Sequence, residues 1–418
     1  MKEYAIIIFY HKNNRNSFRA LLGALEKYNL IDFFDFYFPK NFDELFLTLE
    51  EKPKLYKNSF VLFSLMTTQF VDWKEKLEKI KNYNKVLKIA GGPHASGLPL
   101  SMIDLFDFLF HKEGERSLST FLKEFIENKS FSSVEGVIYK RNNKIIINKY
   151  ENPIDLNEFP AFSKKLKKYG PIEITRGCLF GCKYCQVSYF MGKKLKHRKV
   201  EIVLEWVEEL FKTGMKDIRF ISPNAFSYGS YKKGEINIDE IYNLLSGIRK
   251  IIKKEGRIFF GTFPSEIRPD YVNEDLIKIV KEFCDNKNMV IGCQSGSERV
   301  LEYIKREHDI STVLNAVNIL KKHGFVPIID FIIGFPEETI EDLNKTLELS
   351  QKLMSHGCII HFHYFMPLPG TPFWKKSGTF VEKSLFKNFG KYTKEGKFFG
   401  SIEKQYNYSK KIIEMFKG

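Results

Sequence analysis

Short apolar segments alternate with amphipathic segments along most of this sequence, and that alternation limits the folds open to it. In the first third, strands are predicted at 5–9, 33–37, 60–66 and 86–90, and helices at 18–27, 73–81 and from near 118. Strands that alternate with helices form a parallel sheet with helices on both faces. Residues 1–150 are therefore predicted to form a doubly wound, Rossmann-like α/β domain that ends in a small hairpin.

A polar connector with two prolines, residues 151–169, separates this domain from a second series of strands and helices. In that series, strands are predicted at 172–176, 218–222, 258–263, 289–294, 326–335 and 358–366. Six strand–helix units fall short of the eight in a complete TIM barrel. We therefore predict a partial (β/α)6 barrel over residues 170–371, followed by a short helical C-terminal extension at 372–418.

Several loops of the first domain follow predicted strands and indicate a ligand-binding edge. Ser64 ends one strand, Gly91, Gly92 and Pro93 follow the next, and Gly114 lies in a later loop that precedes a helix. Ligands of doubly wound sheets bind outside the carboxyl ends of the strands. Because glycine lets a bulky ligand approach the backbone closely, we expect a cofactor at this edge.

Three cysteines lie close together immediately after the first strand of the predicted barrel. Cys178, Cys182 and Cys185 have the spacing C-x3-C-x2-C on a loop that also contains two glycines. Soft thiolate ligands select iron–sulfur clusters or zinc. Three cysteines around a [4Fe–4S] cluster leave one iron open, whereas a zinc site would take a fourth ligand such as His197. The remaining cysteines are predicted to be small buried core residues: Cys284, Cys293 and Cys358.

The cysteine loop, with Tyr184 before its last cysteine, resembles the signature of the radical S-adenosylmethionine (SAM) enzymes. That resemblance implies that Cys178, Cys182 and Cys185 hold a [4Fe–4S] cluster whose open iron binds the methionine part of SAM. It also implies that Tyr184 flanks the adenine. Reductive cleavage of SAM in this family yields a 5′-deoxyadenosyl radical.

Further segments resemble motifs of the same family and occur in the expected order. The resemblance implies that Asn224 contacts the methionine amino group, that Gln294 and Ser295 contact the ribose and carboxylate, and that Ile333 lines the adenine. Residues 367–372 are similar to the turn after the sixth strand of the family.

The first domain resembles the cobalamin-binding domain that precedes the barrel in one branch of the family. The loop residues implied to bind cobalamin are Ser64, Gly91, Gly92, Pro93 and Gly114. The Asp-x-His-x-x-Gly motif of many cobalamin proteins is absent, so His94 and His11 are interpreted as loop residues and not as cobalt ligands. A relic domain that no longer binds cobalamin is the alternative.

The resemblance implies a cobalamin-dependent methyltransferase that acts on an unactivated centre of a substrate. Cyclisation or rearrangement, with or without cobalamin, is an alternative outcome of the same motifs. A tRNA methylthiotransferase is disfavoured because that family carries three further cysteines in its N-terminal domain, whereas residues 1–177 contain none. A metal- or cobalamin-binding protein without activity is a further alternative. No catalytic residue is assigned.

The charge of the chain identifies no partner by itself. The formal net charge is +15, but the lysines are scattered along predicted helices. No apolar segment is long enough to span a membrane and no signal peptide is evident, so a cytoplasmic location is expected. The expected partners are a small-molecule or lipid substrate, with a polypeptide as an alternative, and an electron donor of the ferredoxin or flavodoxin type; no DNA is expected.

Overall fold

The computed structural model describes residues 2–382 and 389–416. The chain forms two compact units, Met1–Gly170 and Pro171–Gly418. The predicted tail at 372–418 includes residues 383–388 and 417–418, which lie outside the described residues.

The first unit is built on one seven-stranded sheet. Its strands are β1 (Tyr4–Ile8), β2 (Phe34–Tyr37), β3 (Asn58–Ser64), β4 (Val86–Gly91), β5 (Phe108–Phe110), β6 (Val137–Arg141) and β7 (Lys144–Ile147). Its helices are α1 (Arg15–Lys27), α2 (Phe42–Glu51), α3 (Thr67–Ile80), α4 (Pro93–Gly97) and α5 (Glu115–Ile126). The strand order is β2-β1-β3-β4-β5-β6-β7.

Strands β1 to β5 are parallel, and β6 and β7 add an antiparallel hairpin. The strands that pair with β1 lie on either side of it, so the chain direction across the sheet reverses between β1 and β3. Buried aromatic and aliphatic side chains such as Ile6, Phe60 and Leu62 fill the core on one side. The predicted doubly wound domain is confirmed, although α2 and the three-residue β5 were not predicted.

The second unit contains two parallel sheets of a partial barrel. Its strands are β8 (Ile172–Glu173), β9 (Thr175–Arg176), β10 (Lys196–His197), β11 (Asp217–Ile221), β12 (Arg257–Phe259), β13 (Asn288–Gln294), β14 (Val326–Ile333), β15 (Ile359–Tyr364) and β16 (Phe398–Gly400). Its helices are α6 (Val187–Phe190), α7 (Val200–Lys212), α8 (Ile238–Ile252), α9 (Glu274–Phe283), α10 (Glu298–Tyr303), α11 (Ile310–Lys322), α12 (Ile340–Ser355), α13 (Gly390–Lys394) and α14 (Ile402–Phe416).

Strands β8, β11 and β12 form one sheet, and β13, β14, β15 and β16 form the other. A parallel bridge between Ile267 and Ile291 joins the region after β12 to β13. The six predicted barrel strands are present, but the first is divided into β8 and β9 because β9 turns away to pair with β10. The C-terminal extension is not only helical, since β16 pairs in parallel with β15.

Asparagine, aspartate and threonine side chains begin the main helices of the second unit. Asn237, Asn273 and Asp309 each accept a hydrogen bond from a backbone N–H of the first turn of α8, α9 and α11. Thr339 does the same for α12, and Asp342 bonds back to the Thr339 N–H. These caps fix the residues at which α8, α9, α11 and α12 begin.

No helix in the described part of the chain has the length and apolar character needed to cross a membrane.

Candidate functional site

The three cysteines of the predicted cluster loop line one cavity of about 510 Å³ in the second unit. The loop starts at Gly177, whose φ of 91° is left-handed and whose missing Cβ would lie 2.3 Å from the Lys194 carbonyl oxygen. Burial, together with the neighbouring thiols of Cys182 and Cys178, raises the pKa of the Cys185 thiol to about 12. The loop therefore brings three thiols together in a site of low polarity.

Tyr184 lies beside these cysteines and also lines the cavity. Its ring packs against the ring of Phe335, with centroids 5.5 Å apart. Phe335 follows β14, so this contact ties the cysteine loop to the carboxyl end of a strand on the other side of the partial barrel.

Two buried arginines lie against the cysteine loop. The Arg306 guanidinium is 3.8 Å from the Sγ of Cys182 and donates to the Gly292 carbonyl oxygen at 2.7 Å. The Arg268 guanidinium lies over the Phe180 ring at 3.4 Å and donates to the Arg306 carbonyl oxygen at 2.9 Å. Two buried positive charges need nearby negative charge, and cysteine thiolates would supply it.

Some buried polar atoms at this end of the partial barrel have no hydrogen-bond partner among the described residues. They are the Nη1 of Arg268, the Oγ of Ser222 and the Nδ2 of Asn224. Arg268 and Ser222 line the cavity, whereas Asn224 does not and instead accepts the Arg268 backbone N–H through its Oδ1 at 3.1 Å. Unpartnered buried donors are costly, so the site is suited to a ligand that carries acceptors.

The remaining predicted SAM contacts are divided between the cavity and the core. Gln294 lines the cavity from a left-handed backbone conformation, φ 79°, at an irregularity in the pairing of β13 with β14. Ser295 is fully buried, and its Oγ is 3.2 Å from the Oγ1 of Thr346. Ile333 is fully buried as well, and the cavity is lined by Ile332, because neighbouring residues of a strand face opposite sides.

His197, the candidate fourth ligand of a zinc site, has both ring nitrogens occupied. Its Nδ1 is 3.0 Å from the Oγ1 of Thr175, and its Nε2 is 2.7 Å from the Ser230 carbonyl oxygen. These contacts leave no lone pair for a metal at the cysteine loop, so this zinc alternative loses its proposed ligand. Of the other cysteines, Cys293 and Cys358 are buried, whereas Cys284 is partly exposed at the end of α9.

The predicted cobalamin loops lie side by side at the carboxyl ends of β3 and β4. The Leu65 N–H donates to the Gly91 carbonyl oxygen at 2.9 Å, directly after Ser64. Gly92 has a φ of 93°, and a Cβ there would lie 2.7 Å from the Leu65 nitrogen, so the close packing between these loops itself requires the glycine. Pro93 begins α4.

The loop after β5 reaches the same region. The Lys112 N–H donates to the Oγ of Ser96 at 2.8 Å, two residues before Gly114. Gly114 precedes α5, and a Cβ there would lie 3.0 Å from the Leu21 side chain of α1. The close packing of α1 against the start of α5 therefore accounts for the glycine at position 114.

His94 is a core residue of the first unit. Its ring stacks on Phe70 at 4.3 Å, and its two nitrogens lie 3.2 Å from the Thr67 Oγ1 and 3.1 Å from the Ser101 Oγ. Burial lowers its pKa to about 4. It is therefore a neutral, hydrogen-bonded side chain and not a free metal ligand, and it lies in helix α4 and not in the loop that the sequence interpretation gave it.

The cavity also contains polar side chains that sequence reasoning missed: Arg268, Arg306, Glu266, Asp330, His363 and Gln405. Burial raises the pKa of Glu266 to about 7, and the charge of Asp330 adds to that effect. Asp330 lies in a segment that resembles a family motif, which is the one signal that could have identified it. The others lie in loops, in β15 or in α14, without a local pattern.

Comparisons with known proteins agree with the fold. Residues 172–350 match the sequence profile of the Radical SAM superfamily. An uncharacterized methyltransferase from Pyrococcus horikoshii is 29% identical to the matching part of this chain. The match covers 71% of this chain and 64% of that relative's length. A tRNA-2-methylthio-N(6)-dimethylallyladenosine synthase from Thermosipho melanesiensis is 29% identical over 54% of this chain and 51% of its own.

Two solved structures share the fold at low sequence identity. The radical SAM methyltransferase TsrM from Kitasatospora setae, with cobalamin and a [4Fe–4S] cluster bound, has a TM-score of 0.69 at 14% identity, over 90% of this chain and 74% of its own. The cobalamin-dependent SAM radical enzyme OxsB, with aqua-cobalamin bound, has a TM-score of 0.64 at 14% identity, over 86% of this chain and 53% of its own.

A buried carboxyl group orders the turn that holds Phe335 against Tyr184. The Oε2 of Glu338 accepts the backbone N–H groups of Gly334 and Phe335. Despite these donors, burial raises the pKa of Glu338 to about 8. The folded chain therefore keeps this carboxyl protonated at neutral pH, whereas the unfolded chain ionises it near pH 4.5.

We expect Glu338→Gln to stabilise the protein in a pH-dependent manner. Because the pKa of Glu338 is higher in the folded state, the free energy of unfolding falls as the pH rises from 4.5 to about 8. The amide cannot ionise, so the variant should match the parent near pH 4.5 and exceed it by about 4 kcal/mol at pH 8. Urea unfolding at several pH values measures this, with exposed Glu341→Gln as control. An equal gain at pH 5 and pH 8 would contradict the prediction.

Proposed function

We propose that this chain is a radical SAM enzyme that uses cobalamin for methyl transfer. The premise is the radical SAM domain at residues 172–350. The observation that carries the proposal is the cavity in which three cysteines meet two buried arginines and unpartnered donors. All of the residues that line this cavity belong to the second unit.

The donor set fits a [4Fe–4S] cluster on Cys178, Cys182 and Cys185. Three thiolates, with His197 bonded through both of its ring nitrogens, leave one metal position without a ligand from the cysteine loop. Arg306, within 3.8 Å of the Cys182 sulfur, would stabilise the negative charge of the thiolates. A cluster at this position would therefore offset the free-energy cost of burying the Arg306 cation and the cost of burying the thiolates.

The unpartnered donors fit SAM beside that cluster. The free Nη1 of Arg268 and the Oγ of Ser222 would bind the carboxylate of its methionine part, and Gln294 would reach the ribose. Tyr184 and Ile332 line the same cavity and would contact the adenine. Bound together, the cluster and SAM supply one-electron cleavage of a carbon–sulfur bond. An electron donor of the ferredoxin or flavodoxin type would provide the electron.

The chain's own contribution is to orient these groups and to exclude water. Arg306 ties the cysteine loop to β13 through the Gly292 carbonyl oxygen, and Phe335 ties it to β14 through Tyr184. Apolar residues such as Phe180 and Phe365 complete the cavity wall. A site closed in this way keeps a reactive intermediate from solvent.

Cobalamin fits the first unit in one form only. The strand order places the switch point of the sheet between β1 and β3, where doubly wound folds bind a flat cofactor. His94 has both nitrogens bonded, so the corrinoid would be held without an imidazole on its cobalt. Support for methyl transfer comes from the fold shared with TsrM and from the methyltransferase of Pyrococcus horikoshii.

Methylthio transfer to tRNA is the second candidate, because tRNA methylthio-modifying synthases are among the relatives. Those enzymes would need a second cluster, and residues 1–177 contain no cysteine to hold it. A third outcome is cobalamin-dependent cyclisation or rearrangement, and the fold shared with the cobalamin-dependent SAM radical enzyme OxsB is compatible with it.

Iron content tests the cluster and separates the first two candidates. After anaerobic reconstitution, we expect about four irons per chain, whereas two clusters would give about eight. Cys182→Ala should lose most of this iron, and the control Cys284→Ala, outside the loop, should retain it. Zinc in place of iron, or unchanged iron in Cys182→Ala, would refute the cluster.

Calorimetric titration tests the binding of SAM. Arg268→Gln in the reconstituted protein should weaken SAM binding about tenfold or more, because a charge-assisted hydrogen bond is lost. The control Arg257→Gln removes an exposed arginine of β12 and should leave the affinity unchanged. Equal dissociation constants for Arg268→Gln and the parent would show that Arg268 does not contact SAM.

Cobalamin titration tests the methyl-transfer proposal. We expect about one cobalamin to bind per chain, with the absorption spectrum of a corrinoid that lacks an imidazole ligand on cobalt. His11→Ala, which removes the histidine just after β1, should change neither the affinity nor the spectrum. Absence of binding under reducing conditions would contradict methyl transfer through cobalt.

A further inference from the structure

Two neighbouring strands of the partial barrel bring three metal-binding side chains together, and two of the three line the same cavity as the cysteine loop. Strands β14 and β15 pair in parallel, and Asp330 lies opposite His361 in their register. His361 and His363 are two positions apart on β15, so their side chains emerge on the same face of the sheet. No role in cluster or SAM binding has been assigned to these three residues.

The donor atoms of this group converge. The Nδ1 of His361 is 3.0 Å from the Oδ1 of Asp330, and the two imidazole centroids are 3.9 Å apart. One ligand atom from each of the three residues lies within 4.8 Å of the others. Bonds of about 2.0–2.2 Å hold the ligand atoms of a zinc ion about 3–3.5 Å apart, so small side-chain rotations complete the site.

The surroundings hold the ligands in place. The His361 ring stacks on Phe399 of β16, with centroids 4.2 Å apart and an interplanar angle of 16°. Gln405 of α14 accepts the Tyr364 N–H at 2.7 Å, and its Nε2 is 3.3 Å from the Nδ1 of His363. The C-terminal strand and helix therefore support both histidines in the way that outer residues support metal ligands.

A simple Asp–His pair accounts for only part of this arrangement. It would use Asp330 and His361, whereas His363 beside them, bonded to Gln405, would lie outside the pair. Glu266 lines the same cavity as Asp330 and His363. The carboxylate of Asp330 and the two imidazoles form a donor set for a divalent cation.

We propose that Asp330, His361 and His363 bind one divalent transition-metal ion of the zinc class. Two histidines and one carboxylate leave positions open on such an ion, and Asp330 and His363 line the cavity. The open positions would take an oxygen or nitrogen atom of a molecule in the cavity. This site goes beyond the proposed radical chemistry and does not depend on the cluster.

Zinc binding to the reconstituted full-length protein tests the site. After removal of adventitious metal with a chelator, the cluster-loaded chain is dialysed against micromolar zinc chloride, and bound zinc is measured by mass spectrometry. We expect about one zinc per chain in addition to the cluster iron. The double variant His361→Ala/His363→Ala should bind less than a tenth as much, and Asp330→Asn should raise the zinc dissociation constant about 10–100-fold.

The control is His356→Ala, which removes an exposed histidine that follows α12 and should leave zinc binding unchanged. Iron content and the thermal midpoint show whether each variant is folded. Failure of the parent to bind zinc, or equal binding by the folded double variant, overturns the proposal.

X-ray absorption at the zinc edge of the parent protein gives a second test that needs no substitution. We expect only nitrogen and oxygen neighbours at about 2.0–2.2 Å. A sulfur neighbour at about 2.3 Å would place the zinc on cysteines and overturn the proposal.

Discussion

Parallel strand pairing is the constraint on which the arrangement of the second unit depends. Because β13, β14 and β15 run in the same direction, the loops at their carboxyl ends meet at one end of the partial barrel. The cysteine loop follows β9 and reaches the same end, where Tyr184 packs against Phe335. Residues more than a hundred positions apart in the chain thereby line one cavity.

Buried charge is the second organising factor of this cavity. Arg306 and Arg268 are both buried, and a guanidinium removed from water needs negative partners. The cysteine sulfurs would supply them as thiolates on one side, and Asp270 bonds to Arg268 on the other. The same arginines would compensate the charge of a cluster and bind the carboxylate of SAM, so one pair of residues serves both the stability and the proposed chemistry.

Most elements with long, regular patterns were predictable, whereas two three-residue strands were not. Helix α7 occurs at the residues that its apolar spacing indicates, and β13 and β15 differ from their predicted strands by a few residues at most. Strands β5 and β16 escaped prediction because three residues carry too little periodicity to distinguish a strand from a loop. Their pairing depends on a neighbouring strand that is distant in the chain, which is information that a local pattern does not contain.

The sequence by itself determined the alternation of strands and helices, the three-cysteine loop and the absence of cysteine from residues 1–177. These features are local, since each is encoded by spacing within a short segment. Only the tertiary structure decided which side chains face the cavity: Ile332 and not Ile333, Arg268 and not Asn224, with Asp330, His363 and Gln405 added from separate elements. Such choices follow from strand register and helix packing, which bring residues together without regard to their distance along the chain.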